Sequence, residues 1–158
     1  MAMGQPQKTE DVLKIIKKNT LSINKNIDNN IKKKYAQAKS LERSGLYEEA
    51  FSLFKEINQD HPGINKYFQP MKNYLKQIES WDTLLVYTQN YANARNQDFQ
   101  SQLELLDIYI WMDAESNWQE TAFTLTQTRS TNDNYMKGII QRLINNGKND
   151  FAYDRLQE

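Results

Sequence analysis

One stretch of the sequence returns near the end of the chain at a spacing that restricts the fold. Gly45–Phe54 reads GLYEEAFSLF and Gly147–Leu156 reads GKNDFAYDRL, and their first glycines stand 102 residues apart, which is three periods of 34. Within this interval Trp81 follows Tyr47 by one such period. A period of this length is typical of two-helix units that bury their apolar faces only by stacking on their neighbours. The repeat therefore predicts an all-α fold of stacked helix hairpins.

Trp118 is interpreted as the corresponding position of the third unit. Its distance from Trp81 exceeds one period by three positions, so we expect a three-residue insertion in the polar loop around residues 92–98. Tyr47, Trp81 and Trp118 are each expected to lie between the two helices of their own hairpin, where a large flat side chain buries much area.

Apolar residues recur at helical spacing within the units. The clearest stripe lies within residues 136–143 and ends at the Asn-Asn-Gly of residues 145–147, which is a strong signal for the end of a helix. Pro70 departs from this pattern, because a proline inside the first helix of the second unit removes a backbone donor. We expect it to delay the start of that helix or to kink it.

One unit carries a recognisable set of side chains at fixed spacing: Gly45, Tyr47, Ala50, Phe54 and Pro62. This set resembles the second half of the tetratricopeptide repeat, in which a small residue and an aromatic residue four positions on precede a proline. The resemblance covers about residues 31–158, although Leu84 and Thr121 stand where the family has a small alanine. It implies a right-handed α-solenoid with units at about 31–64, 65–98, 99–132 and 133–158.

The resemblance also implies a function. Such proteins are scaffolds or adaptors that hold a peptide or helix of a protein partner in a concave groove lined by the first helix of each hairpin. Aligning the turns gives the groove candidates Lys32, Tyr35, Lys39, Lys66, Gln69, Asn73, Lys76, Leu103, Leu106 and Ile110. They run from basic to apolar, which would suit an acidic and then aliphatic partner segment. The alternative for the last three is contact with a neighbouring helix.

The N-terminal region differs from the rest in charge. Residues 1–44 carry ten Lys and Arg against four Asp and Glu, and residues 45–158 carry ten against sixteen, so the parts have net charges of +6 and −6. We expect a leader at residues 1–8 and a basic amphipathic helix at residues 9–30, with Thr9 as its N-cap. This helix could contact a membrane surface or nucleic acid, and such binding would weaken steeply with salt. The neutral net charge and the acidic remainder of the chain work against nucleic acid. The alternative is a solvated helix face.

The apolar residues of this segment predict where the helix packs. Val12, Ile16, Ile23 and Ile27 share one face at helical spacing, and the lysines lie on the other. We expect one long helix that runs into the first repeat and covers it, with a break at residues 19–22 as the alternative. A simple heptad places Asn19 and Asn26 in the seam, which disfavours a coiled-coil dimer.

Motifs for catalysis, cofactors and metals are scarce. The chain has no cysteine, which excludes thiolate chemistry and Cys-based metal sites, and His61 is its one histidine, within a turn-like Asp-His-Pro-Gly. Asp107 and Asp113 could act as acid and base, but two carboxylates on one helix are typical of solvated charges. We therefore expect a chain that is not an enzyme, with no catalytic, cofactor-binding or metal-binding residues.

The two ends of the chain carry further expectations. Residues 1–4 resemble an expression leader, which leaves room for a native targeting segment before Gln5 and favours a bacterial envelope over a cytoplasmic setting. No run of residues reaches the apolar length of a membrane span. The last hairpin is expected to expose Ile140, Phe151 and Leu156, which predicts a homo-oligomer or a longer parent chain at the C-terminal end.

Overall fold

A computed structural model describes residues 5–129 and 132–156, with the backbone alone at residues 5, 6, 129, 155 and 156. These residues form helices and turns and no strand. The helices are α1 (Gln5–Arg43), α2 (Tyr47–Asp60), α3 (Asn65–Gln77), α4 (Trp81–Ala94), α5 (Phe99–Trp111), α6 (Glu115–Arg129), α7 (Asp133–Asn145) and α8 (Asn149–Leu156). Neighbouring helices pack in pairs, which makes the fold an all-α solenoid of hairpins.

The period read from the sequence holds at every described hairpin. In the series α2, α4, α6 and α8 each helix begins one full period after the one before, and the same is true of α3, α5 and α7. The expected three-residue insertion near residues 92–98 is therefore wrong. Trp118 lies inside α6, in register with Leu84 of α4, and both side chains are buried, at 3% and 0% exposure. The two tryptophans occupy different positions of the repeat, because the register follows the turns and not the aromatic residues.

This register also changes the roles expected for the aromatic residues. Trp118 takes the position that the small Ala50 holds in α2. The sequence comparison had placed Thr121 at this position, which is wrong. Tyr47 is 47% exposed and does not lie between its helices. Trp81 is half-buried and packs at 6.0 Å from the ring of Trp111.

The turn that joins the two helices of a hairpin keeps one geometry through the described repeats. A residue with positive φ follows the first helix at Gly45, Glu79, Asp113 and Gly147, with angles of 79°, 55°, 55° and 74°. The next backbone N–H then donates to a carbonyl five residues earlier, at 2.8–3.0 Å, as in Ser80 to Leu75 and Lys148 to Leu143. This is the Schellman arrangement, which satisfies the last carbonyls of a helix.

The chain divides into two compact units, residues 1–57 and 58–158. In the first unit α1 is continuous for 39 residues, without the break considered at residues 19–22. It begins at Gln5, four residues before the predicted start of the helix, so residues 5–8 are helical and Thr9 is not an N-cap. Residues 1–4 lie outside the described part of the chain. Pro6 is the second residue of α1. A proline is tolerated there, because the N–H groups of the first turn of a helix have no helical partner.

The core of the first unit is small and lies at the C-terminal end of α1. Ala38, Ala50, Phe54 and Ile57 are at most 2% exposed, and the rings of Tyr35 and Phe54 meet edge to face at 6.0 Å. Every residue from 7 to 30 is exposed. The expectation that the N-terminal half of α1 covers the first repeat is therefore wrong. No described helix is long and apolar enough to cross a membrane.

The second unit has the larger core. Phe68 stacks on Tyr91 at 4.1 Å between ring centroids, and α5, α6, α7 and α8 share an apolar cluster that includes Leu106, Trp118 and Leu143. Pro70 lies inside α3 without delaying its start, because α3 begins in register at Asn65. A proline deeper in a helix costs one hydrogen bond, and the burial of the apolar residues around it retains the helix.

The last hairpin is less exposed than predicted. Ile140 and Phe151 are partly buried against the apolar cluster, and the ring of Phe151 meets Trp118 edge to face at 5.0 Å. The side chain of Leu156 lies outside the described residues. Ile144 and Tyr153 remain 44% and 64% exposed.

Candidate functional site

Three first helices of the second unit, α3, α5 and α7, place charged side chains against one another. α5 supplies Glu104 and Asp107, which are three residues apart and therefore lie on one face of the helix. α3 supplies Lys72 and α7 supplies Arg142. We call these four residues the ion cluster, and they are the starting point of the candidate site.

The ion cluster is closely connected. Lys72 Nζ forms an ion pair with Glu104 and lies 3.6 Å from Asp107 Oδ2. Arg142 donates to Asp107 and lies 3.6 Å from Glu104 Oε1. Glu104 and Asp107 are 2% and 3% exposed, and Lys72 is 8% exposed. Two cations thus neutralise two buried carboxylates, which is the condition under which charges can be buried at all.

Neutral groups complete the hydrogen bonding of the cluster. Gln69 and Gln100 donate to Glu104 Oε1 at 3.4 and 3.3 Å, and Asn146 Nδ2 donates to Asp107 Oδ1 at 3.1 Å. The carboxylates therefore accept hydrogen bonds from side chains of α3, of α5 itself and of the residue that follows α7. Because each helix contributes, the cluster holds the three helices in one arrangement.

Trp111 forms an aromatic edge to this arrangement. Its Nε1 donates to Asn146 Oδ1 at 2.8 Å, which fixes the ring against the end of α7. On the side of α3, Lys76 Nζ lies 4.0 Å and Lys72 Nζ lies 5.2 Å from the ring centroid. Both distances are within the range of a cation–π interaction. Lys76 is exposed and Trp111 is half-buried, so a cation on an aromatic surface faces solvent here.

Asp107 is the titratable group of the cluster whose protonation this environment changes. Burial raises the pKa of its carboxyl above the usual 3.8, and Arg142 and Lys72 oppose the shift. The negative charge of Glu104 adds to the rise in pKa, and the hydrogen bond from Asn146 acts against it. A raised pKa at a buried carboxylate is a feature of many active sites. Here the carboxylate oxygens accept hydrogen bonds from Arg142 and Asn146.

Asp113, the other half of the predicted acid and base pair, is exposed in the turn after α5. It is not a member of the ion cluster. Within the described residues no group of three or more His, Asp or Glu side chains is placed to hold a metal ion.

The predicted groove residues fall into three groups. Gln69 and Lys76 lie beside the ion cluster, and Lys66 and Asn73 are exposed on the same helix, α3. Leu103, Leu106 and Ile110 are 5%, 0% and 8% exposed and belong to the apolar core, so their assignment to a partner surface is wrong and contact with neighbouring helices is the correct alternative. In the first unit Lys32 is exposed, and Tyr35 and Lys39 are half-buried, with Lys39 paired to Glu42 at 2.6 Å.

Sequence reasoning missed the ion cluster, because alignment of the turns placed the groove-facing side of α5 at Leu103 and Leu106, one residue before Glu104 and Asp107. A signal was present. Both acids lie in the run Leu103–Ile108, where the remaining residues are all apolar. A carboxylate in such a run is buried with its neighbours, and a buried carboxylate requires a cation from another helix.

Helix hairpins that repeat in constant register throughout the described part of the chain define a tetratricopeptide-like α-solenoid. No family model matches the chain, and no curated protein matches it in sequence. A solved structure that the chain resembles is the "MamA RS-1 ArsTM double mutant", with a TM-score of 0.54 and 14% identity over 82% of this chain and 72% of that chain. At this identity the likeness establishes the fold, which confirms the predicted fold class.

Proposed function

We propose that the protein is an interaction scaffold that binds an acidic segment of a partner protein on the polar face of α3, α5 and α7. The observation that carries the proposal is the ion cluster. Its carboxylates are neutralised internally, by Lys72 and Arg142, so they do not repel an acidic ligand. The exposed charges that remain on α3 are the lysines, since α3 contains no acidic residue.

Lys76 and Trp111 are the expected contacts of the partner segment. Lys76 offers an ammonium group to a carboxylate, and the half-buried indole beside it offers area to an aliphatic or aromatic side chain. Lys66 and Asn73 extend the surface along α3. Because the ion cluster fixes the three helices before binding, little ordering is required when a partner binds. The proposal assigns no catalytic step to the chain.

A site-specific photo-crosslinker tests this proposal. Placed at Asn73, in cells that naturally express the chain, it should capture a partner that a crosslinker at Gln89 does not, since Gln89 is also exposed but lies on α4. The captured segment, made as a peptide, should bind at least about tenfold more weakly to Lys76→Glu than to the parent chain. The control Lys55→Glu, an exposed lysine of α2, should bind normally.

Two results would contradict the proposal. Equal capture at Asn73 and Gln89 would show that α3 holds no preferred surface. Unchanged affinity of the Lys76→Glu variant would place the binding site elsewhere.

The alternative prediction, contact of the basic N-terminal helix with a membrane surface or nucleic acid, rests on the lysines of residues 8–34. Binding through these lysines should fall steeply as salt rises, because it depends on counterion release and screening. Binding through Lys76 and Trp111 should fall less, because part of it is apolar contact.

A further inference from the structure

The exposed half of α1 carries an apolar stripe. Leu13, Ile16, Thr20, Ile23 and Ile27 follow one another at spacings of three, four, three and four residues, and we call them the α1 stripe. Its four large apolar members are 51%, 53%, 57% and 45% exposed. Alternating spacings of three and four keep residues on one seam of a supercoiled helix pair. An exposed stripe of this kind requires a cover from outside the first unit.

The register of the α1 stripe revises the sequence argument against a coiled coil. In a simple heptad that runs through Val12 and Ile16, Asn19 and Asn26 lie in the seam. With Leu13 and Ile16 as the first seam pair, both asparagines move to the positions that flank the seam, where polar residues are normal. The one polar residue within the stripe is Thr20, whose hydroxyl donates to the carbonyl of Ile16 at 2.8 Å and is thereby satisfied.

The lysines of α1 are placed so that they do not oppose pairing. At about 100° per residue, Lys14, Lys18 and Lys25 lie on the side of the helix opposite the stripe, and Lys17 is the one lysine of residues 13–27 that flanks the seam. The positions that flank the seam hold mainly asparagines, at residues 19, 24 and 26, instead of a row of like charges. Two such helices can therefore approach along the stripe although residues 1–44 carry a net charge of +6.

A membrane surface fits the α1 stripe less well than a helix does. Helices that lie in the headgroup layer usually carry aromatic residues on a broad apolar face, whereas residues 7–30 contain no aromatic residue. After Ile16, the exposed large apolar residues of this segment other than Leu21 lie on the stripe. Isoleucine fills three of its five positions, and isoleucine is a common core residue of coiled-coil seams.

We propose that the α1 stripe pairs with the α1 stripe of a second copy of this chain, in parallel and in register. In this arrangement Thr20 faces Thr20 across the seam, and Asn19 of one copy flanks Asn24 of the other. Pairing ends after Ile27, because Asn30 and Lys34 occupy the next two seam positions. The pairing joins two scaffolds and uses no residue of α3, α5 or α7.

Light scattering of the whole chain tests the pairing. The parent chain should be a dimer at micromolar concentration, and Ile23→Asp should raise its dissociation constant by about 100-fold or more, because the charge would be buried without a partner. Leu21→Asp is the matched control. Leu21 lies two residues away, is 70% exposed and points away from the stripe, so this variant should remain a dimer.

Single cysteines test the direction of pairing, since the chain has none of its own. Leu13→Cys and Ile27→Cys should each form a disulfide-linked dimer rapidly on mild oxidation, whereas Leu21→Cys should not, because only seam positions bring two equivalent residues within disulfide reach. An antiparallel pair would link neither Leu13→Cys nor Ile27→Cys.

A parent chain that is monomeric up to about 100 µM would overturn the proposal. So would a dimer that Ile23→Asp leaves intact. A monomer that binds vesicles containing phosphatidylserine, and loses this binding in Ile23→Asp, would assign the stripe to a membrane instead.

Discussion

At the scale of single residues, the hairpin turns impose the same backbone demand on different amino acids. Gly45 and Gly147 meet it without steric cost, because they lack a Cβ atom, while Glu79 and Asp113 adopt a left-handed conformation that side chains disfavour. Nothing lies within 4 Å of the position a Cβ would take at either glycine. The requirement for glycine there is therefore conformational and not one of space.

Replacing the two glycines of the last hairpin by alanine should change the free energy of unfolding in opposite directions. Gly147→Ala should lower the free energy of unfolding by about 1 kcal/mol, because its φ is 74°. Gly138→Ala should raise it by about 0.5 kcal/mol, because Gly138 lies inside α7 and its new Cβ would meet the Phe99 ring at an ordinary 3.5 Å. Denaturant titration of both variants measures this. If both variants changed stability in the same direction, the positive φ assigned to Gly147 would be contradicted.

Asp107 should make stability depend on pH in a direction opposite to that of most paired carboxylates. Its pKa is raised on folding, so between 3.8 and the raised value the folded state binds more protons than the unfolded state. Within that window stability falls as pH rises. Below 3.8 this dependence on pH vanishes, because Asp107 is protonated in both the folded and the unfolded state.

Comparison with Asp107→Asn isolates this effect, since Glu104, Lys72 and Arg142 remain in both proteins. The difference in unfolding free energy, parent minus variant, should decrease as pH rises through the window. An increase would mean that attraction by Arg142 and Lys72 outweighs burial of the carboxylate.

At the scale of helices, the ion cluster connects α3, α5 and α7 through charged side chains. Its charged groups lie beside an apolar core. The attraction between them offsets their loss of hydration only while the distances between them stay short. A buried pair of this kind adds little net stability compared with apolar residues of similar size, but removing one member is costly because the other is left without compensation.

Glu104→Gln should therefore lower the free energy of unfolding by about 3 kcal/mol, because Lys72 would remain buried with less compensation. Glu42→Gln, which removes the partly exposed pair with Lys39, should cost under about 1 kcal/mol. The double variant Lys72→Met, Glu104→Leu should recover most of the loss. Denaturant titration measures all three. If Glu104→Gln and Glu42→Gln cost the same, the ion cluster is not a buried pair.

At the scale of the whole molecule, the two units differ in how much of their sequence is used for folding. The second unit buries apolar residues along its helices, whereas the first buries none of its described residues before Ile31. A chain without residues 1–30 should therefore keep cooperative unfolding and, at a concentration where the parent is monomeric, a Tm within about 2 °C. Calorimetry and circular dichroism measure this. A fall of about 10 °C or more would show that the N-terminal half of α1 stabilises the repeats.

The helix class, the hairpin pattern and the continuity of α1 could all be read from the sequence, because they follow from local features such as apolar spacing and the scarcity of Gly and Pro. The repeat period was also legible. Its error at Trp118 arose because a side chain was matched where the backbone turn at Asp113 sets the register. A turn position with positive φ is harder to recognise in a sequence when it holds Asp than when it holds Gly.

The candidate site was decided by tertiary structure. α5 is apolar on nearly every side, so its composition does not say whether Leu103 or Glu104 faces the neighbouring first helices, and one residue of shift turns a helix by about 100°. The choice depends on Lys72 of α3 and Arg142 of α7, which belong to the repeats before and after that of Glu104. The sequence by itself determined the elements and their order. Pairing of distant charges, which exists only once three hairpins have stacked, determined the polar face.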